Sequence, residues 1–167
     1  MSPTMTSQTY PLEPLSIEDA ARRCRIERIQ GGTIVFTNGV FDILHRGHLQ
    51  YLREARDLGT MLVVGLNSDE SARRLKGAHR PFVSATDRAF ALLSLRFVDH
   101  VVIFDEDTPA ELIRELNPHI LVKGGDYRPE HVAGGDFVAA QGGKVVILPL
   151  REGYSTSGLI ESIARRV

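Results

Sequence analysis

TIVFTNGVFDILHRGHLQYLREARDLGTMLVVGLNSD, residues 33–69, carries the alternation on which the fold turns. Residues 33–37 (TIVFT) form a short apolar run rich in β-branched side chains, the pattern of a buried strand. Residues 47–58 (GHLQYLREARDL) then place Leu49, Leu52, Ala55 and Leu58 at helical spacing. Residues 61–66 (MLVVGL) return to a strand. Two strands without a polar face, joined through a helix, make a right-handed unit of a parallel sheet covered on both sides.

The same alternation extends in both directions. Downstream, Ser84 and Asp87 pair as a cap for a helix over 84–97, and residues 100–104 (HVVIF) read as a third strand. Thr108-Pro109-x-Glu111 opens a helix that Asn117-Pro118 stops. Residues 120–123 form a fourth strand, 138–141 a weak helix ended by Gly142-Gly143, 144–150 (KVVILPL) a fifth strand and 155–166 a last helix. Upstream, Ser16 with Asp19 starts a helix closed by Gly31-Gly32, and residues 1–14, with three prolines, read as a loose arm. The polar stretch 73–80 reads as a mobile loop. These elements predict an α/β fold: a single doubly wound, five-stranded parallel sheet with helices on both faces. Residues 1–30 are an arm and helix, and residues 31–167 the domain itself.

Composition narrows the class. With 20 basic and 21 acidic side chains among 167 residues, a strongly basic nucleic-acid binder is disfavoured. Cys24 is the single cysteine, which excludes an intrachain disulfide and a zinc cluster of cysteines. No secretory leader is visible, and no apolar run approaches the ~18 residues that span a bilayer. The expectation is a cytoplasmic protein with no membrane partner.

In an open parallel sheet, ligands bind beyond the carboxyl ends of the strands. The residues there are small and polar: Thr37-Asn38-Gly39, then Phe41-Asp42 and His45-Arg46-Gly47-His48, after the first strand; Lys123-Gly124-Gly125-Asp126-Tyr127 after the fourth; Gly153-Tyr154-Ser155-Thr156-Ser157 after the fifth. Neither G-x-x-x-x-G-K-[ST] nor G-x-G-x-x-G occurs, which argues against a P-loop NTPase and a standard dinucleotide domain. His45-Arg46-Gly47-His48 opens a helix instead. Gly47 admits a ligand to the backbone, the helix N-terminus favours an anion, and two imidazoles add donors. A helix cap, or half of a metal site, is the plainer reading of that histidine pair. No partner ligands support a metal, so no metal site is assigned. Ser155 and Thr156 at a helix start suit a phosphate, with N-capping as the plainer reading. Lys76, Arg88 and Arg96 are further candidates for phosphate, against a solvated surface. The remaining histidines, His79, His100, His119 and His131, read as structural or surface residues.

The residues Gly39-Val40-Phe41-Asp42 with His45-Arg46-Gly47-His48 resemble the signature of the HxGH nucleotidyltransferases, a Rossmann-like superfamily. Arg74-Leu75-Lys76-Gly77, Arg80-Pro81, Asp87-Arg88, residues 104–109 and 121–127, and Ser155-Thr156 extend the resemblance to the D-glycero-β-D-manno-heptose 1-phosphate adenylyltransferases, over about residues 33–163. The sequence departs from the superfamily's patterns in two places: Leu150-Arg151-Glu152 differs from the R-T-E-G-I-S-T of cytidylyltransferases, and Arg46 fills a slot where smaller residues are frequent. The resemblance implies AMP transfer from ATP to heptose 1-phosphate, giving ADP-heptose and pyrophosphate for lipopolysaccharide. Mg²⁺ would be held mainly through the ATP phosphates. It implies His45, His48, Lys76 and Arg88 as catalytic. It places Thr37, Asn38, Gly39, Phe41, Asp42, Gly47, Arg96, Lys123, Gly124, Asp126, Tyr127, Gly153, Ser155 and Thr156 around the nucleotide. It further implies a homodimer, and a separate heptose kinase and phosphatase upstream. The alternatives are a cytidylyltransferase or adenylyltransferase for another small phosphate such as glycerol 3-phosphate, or a non-catalytic nucleotide-binding module.

Overall fold

The computed structural model describes residues 12–149 and 153–166. Five parallel strands run in the order β3-β2-β1-β4-β5. They are β1 (Ile34–Gly39), β2 (Met61–Asn67), β3 (His100–Phe104), β4 (Ile120–Gly124) and β5 (Lys144–Leu148). The α-helices are α1 (Ile17–Ile29), α2 (Arg46–Arg56), α3 (Asp69–Lys76), α4 (Ala85–Leu93), α5 (Ala110–Leu116), α6 (Gly135–Ala140) and α7 (Thr156–Ala164).

Successive strand residues point to opposite faces, so each strand feeds two cores. On one face Ile34, Phe36, Val63, Val102, Phe104 and Leu121 pack against α1, α5 and α6. On the other, Val35, Leu62, Val64, Leu66, Val101 and Val122 pack against α2 and α4. The Phe36 ring lies where a side chain at Gly65 would be, 2.7 Å from the position of an added Cβ. Cys24 is buried among the first group, and burial pushes its thiol up to about 11, so it behaves as a small apolar residue.

The doubly wound sheet predicted from the alternation is the one observed, with shifts at element ends. β1 runs on through Asn38 and Gly39, and β5 ends at Leu148, before Pro149. Leu150, within the predicted fifth strand, lies outside the described residues, as do residues 1–11. α4 stops at Leu93 rather than near residue 97. The expected loop at 73–80 is a misreading in its first half, because residues 69–76 are α3. Ser68 caps α3 by accepting from the Ser71 N–H, with acids in its first turn and bases in its last. Charge and capping hold this short helix, so apolar periodicity does not reveal it.

Sheet order sets the site. β1 connects outward to β2, while β4 lies on β1's other side. The chain therefore leaves β1 and β4 in opposite directions, and a crevice opens between their carboxyl ends.

Candidate active site

A cleft of about 380 Å³ sits at that crevice. Its floor is Asn38 and Gly39 at the end of β1, Val40 just after it, and Lys123 and Gly124 at the end of β4. α2 contributes Gly47, His48 and Tyr51, with His45 just before it, and α7 brings Thr156 and Ser157, with Tyr154 and Ser155 before it. A neighbouring hollow of about 350 Å³ shares Asn38, Lys76, Lys123 and Tyr127 with the first and continues past Asn67, Asp107, Thr108 and His131.

The N-terminus of α2 differs from most of its counterparts. Ser16, Ser68, Ser84 and Ser155 cap α1, α3, α4 and α7 with their hydroxyls. His45, at the same position of α2, makes no side-chain cap, and no acid stands in the first turn. The first N–H groups of an 11-residue helix thus face the cleft with their dipole uncompensated. The His45 and His48 rings stack with centroids 3.8 Å apart. Both Nδ1 atoms are buried without a hydrogen-bond partner among the described residues. Burial lowers the His45 pKa. Burial, then the neighbouring His45 charge, carries His48 down to about 4, opposed by a backbone contact from Ile43. Burial therefore biases both imidazoles towards the neutral form.

The glycines here answer to sterics. A Cβ on Gly47 would lie 3.0 Å from the His45 ring and from Tyr154 Cβ. A Cβ on Gly39 would lie 3.0 Å from the Phe41 ring. Phe41 itself adopts a left-handed φ of 46°, costly for an aromatic residue, and its ring meets His48 edge-on at 5.4 Å.

Asp42 is a buried carboxylate with its acceptors filled. Oδ2 takes the Arg80 Nε–H at 2.6 Å, and Oδ1 takes the Phe82 and Val83 N–H groups at 2.8 and 3.0 Å. Burial alone would raise its pKa. The two N–H bonds and Arg80 outweigh that and hold it below the usual carboxylate range. Lys123 donates to Asn38 Oδ1 at 3.2 Å and stands 5.7 Å from the Tyr127 ring centre. Burial and the nearby Lys76 charge lower the Lys123 pKa.

Of the residues predicted for the site, His45, His48, Asn38, Gly39, Phe41, Asp42, Gly47, Lys76, Lys123, Gly124, Tyr127, Ser155 and Thr156 line one cleft. Five others are placed elsewhere. Thr37 is fully buried beneath the floor, its hydroxyl 2.5 Å from Tyr51 Oη. Arg88 is 1% exposed and encased. Its Nε donates to Val83 O, Nη1 to Val40 O and Asn67 O, and Nη2 to Asp69 Oδ1. It does not line the cleft. Arg96 is exposed in the turn between α4 and β3, at the amino end of the sheet, opposite the site. Asp126 is exposed and off the lining, and Gly153, with φ of 80°, sets the entry to α7 without lining the cleft. Arg46 is also exposed and off the lining. Sequence reasoning missed Arg80, Tyr51 and Tyr154 as lining residues and His131 in the second hollow. Arg80-Pro81 carries a signal through the resemblance, and Tyr154 through its place in the polar stretch after the fifth strand.

Among the described residues no group of three His, Cys, Asp or Glu side chains could hold a metal ion. Asp42, the carboxylate in the cleft, already has its acceptors filled. The described residues therefore offer a divalent cation no protein cage. No helix among them is long and apolar enough to cross a membrane.

Known proteins resemble this chain over most of its length. Bifunctional protein HldE from Syntrophotalea carbinolica is 57% identical over 141 residues, covering 84% of this chain and 29% of the relative. Bifunctional protein HldE from Geotalea uraniireducens is 51% identical over 148 residues, covering 89% of this chain and 30% of the relative. The chain thus spans less than a third of the length of these curated relatives. Among solved structures, a lipopolysaccharide core biosynthesis protein from Thermoplasma volcanium is 28% identical with a TM-score of 0.61, covering 75% of this chain and all of that one. Residues 36–161, from β1 into α7, match the cytidylyltransferase-like family model. A match that takes in the sheet, the histidine pair and the N-terminus of α7 settles the lineage, and the chain belongs to the cytidylyltransferase-like family.

Proposed function

We propose that this chain transfers AMP from ATP to D-glycero-β-D-manno-heptose 1-phosphate, releasing pyrophosphate and forming ADP-heptose for lipopolysaccharide. The observation that carries the transfer chemistry is the uncapped N-terminus of α2 with its stacked histidines, set across one cleft from the N-terminus of α7. The choice of acceptor rests on the long resemblance over residues 33–163 and on similarity to the HldE proteins and the core biosynthesis protein.

In this mechanism an oxygen of the sugar phosphate attacks the α-phosphorus of ATP. A new P–O bond forms as the bond to the β-phosphate bridging oxygen breaks, and pyrophosphate carries away the electron pair. No covalent enzyme intermediate is required. His45, His48 and the first N–H groups of α2 stabilise the charge that develops on the α-phosphoryl oxygens. Ser155 caps α7 with its oxygen and keeps its O–H for a phosphate, beside Thr156 and the helix N-terminus. Lys76 and Lys123 supply positive charge from two sides. A Mg²⁺ ion accompanying ATP would be carried by the triphosphate, since the described side chains offer it no cage.

The test is pyrophosphate release with Mg²⁺, crossing ATP and CTP with heptose 1-phosphate and glycerol 3-phosphate. Release with ATP and heptose 1-phosphate alone is the expected result. Preference for CTP or glycerol 3-phosphate would overturn the substrate assignment. Nucleotide binding without release under any pairing would overturn the enzymatic one.

A further inference from the structure

Polar groups enter the cleft from two flanks. α7, after β5, delivers Thr156 and Ser157, whereas Lys76 ends α3, after β2, and Arg80 follows it. His45 and His48, after β1, stand between the flanks. In-line displacement puts the entering and leaving oxygens on opposite sides of phosphorus. With the leaving pyrophosphate at α7, the entering phosphate arrives on the Lys76 and Arg80 flank.

Arg80 is built for that position. Its side chain is 16% exposed, and its Nε–H is locked onto Asp42, whose side chain is 1% exposed. The same carboxylate binds the N–H groups of Phe82 and Val83. From the other side Arg88 donates to Val83 O and to Val40 O. Two buried charged side chains therefore tie the strap of residues 80–83 to the turn after β1. The Arg80 guanidinium also lies 5.3 Å from the Phe82 ring centre. Its Nη1 and Nη2 make no hydrogen bond to other described residues, while the residue lines the cleft. A guanidinium fixed at Nε presents a forked pair of donors that fits a phosphate, which a lysine ammonium does not.

We propose that Arg80 binds the phosphate of the acceptor, and that Asp42 and Arg88 are positioning residues that hold the strap carrying it. This rests on the adenylyl-transfer reading above. Initial rates of pyrophosphate release are measured for wild type, Arg80→Gln and Arg80→Lys, varying acceptor and ATP separately, with ATP affinity from calorimetry. Arg80→Gln raises the acceptor KM about ten- to a hundredfold, the scale of a charge-assisted hydrogen bond, and leaves ATP affinity within about twofold. Arg80→Lys recovers part of the loss. An unchanged acceptor KM overturns the proposal, as does a parallel loss of ATP affinity, which would put Arg80 on the triphosphate. If Arg80→Gln fails to fold, the same split is read from Arg80→Lys. If wild type rejects heptose 1-phosphate and accepts another phosphorylated alcohol, the substrate assignment fails while the KM split with that alcohol still decides Arg80. Wild-type silence with every acceptor overturns both.

Discussion

Replacing Arg88 by methionine separates a strut from a phosphate clamp. The guanidinium, 1% exposed, is bonded to three backbone carbonyls, those of Val40, Asn67 and Val83, and to Asp69. Methionine fills much of the volume and supplies no donor. Each orphaned carbonyl costs about 1 kcal/mol, the lower end of the range for a buried acceptor. The Asp69 side chain is 35% exposed and rehydrates, so it adds little. The sum is about 3 kcal/mol, the scale at which removing one partner of a buried charge pair destabilises proteins. For a chain of this size that is a Tm lower by roughly 6–12 °C. Arg88→Lys, with one donor group in place of a fork, falls between. The assay is thermal unfolding by circular dichroism, with turnover measured well below the transition. A Tm within about 2 °C of wild type, with turnover lost more than a hundredfold, would refute the strut and make Arg88 a ligand contact.

Other perturbations test the cleft. His48→Ala keeps the fold and loses roughly 10²–10³ in turnover, the scale of one transition-state donor, and near-normal turnover in a folded variant would remove that role. Because the folded His48 pKa lies at about 4 against an ordinary 6.5, the unfolded chain binds more protons between those values. Stability therefore falls as pH drops from 6.5 towards 4, more steeply in wild type than in His48→Ala, as urea unfolding across that range would measure. Gly47→Ala should separate stability from activity. Alanine gains about 0.5–1 kcal/mol of helix propensity. Its Cβ, however, meets the His45 ring and Tyr154 at 3.0 Å, so Tm holds or rises while turnover falls. Tyr51→Phe removes the hydroxyl that joins Thr37 to the Val122 carbonyl and costs about 1–2 kcal/mol in denaturant unfolding.

Much of this molecule is legible in one dimension because its signals are local. A strand such as Val63 and Val64, with neighbours facing two different cores, needs apolar residues at every position, and that run is visible unaided. The caps Ser16, Ser84 and Ser155 bond within three residues of themselves. The cleft was foreseeable for a related reason. Doubly wound topology puts every strand's carboxyl end on one edge, so His45, Lys123 and Thr156 converge although far apart in the chain.

Burial and partnership are what tertiary structure alone decided. Arg88 and Arg96 look alike in sequence, both arginines near one predicted helix. One is encased by carbonyls from three separate segments, and the other sits exposed at the far end of the sheet. Thr37 precedes Asn38 by a single residue, yet the strand pleat turns it to Tyr51 beneath the floor while Asn38 lines the cleft. Arg80 gains its place from Asp42, 38 positions earlier. Composition and periodicity report which groups the chain carries and which face they occupy. Which charge meets which partner, and whether water reaches it, depends on segments brought together only by the closed fold.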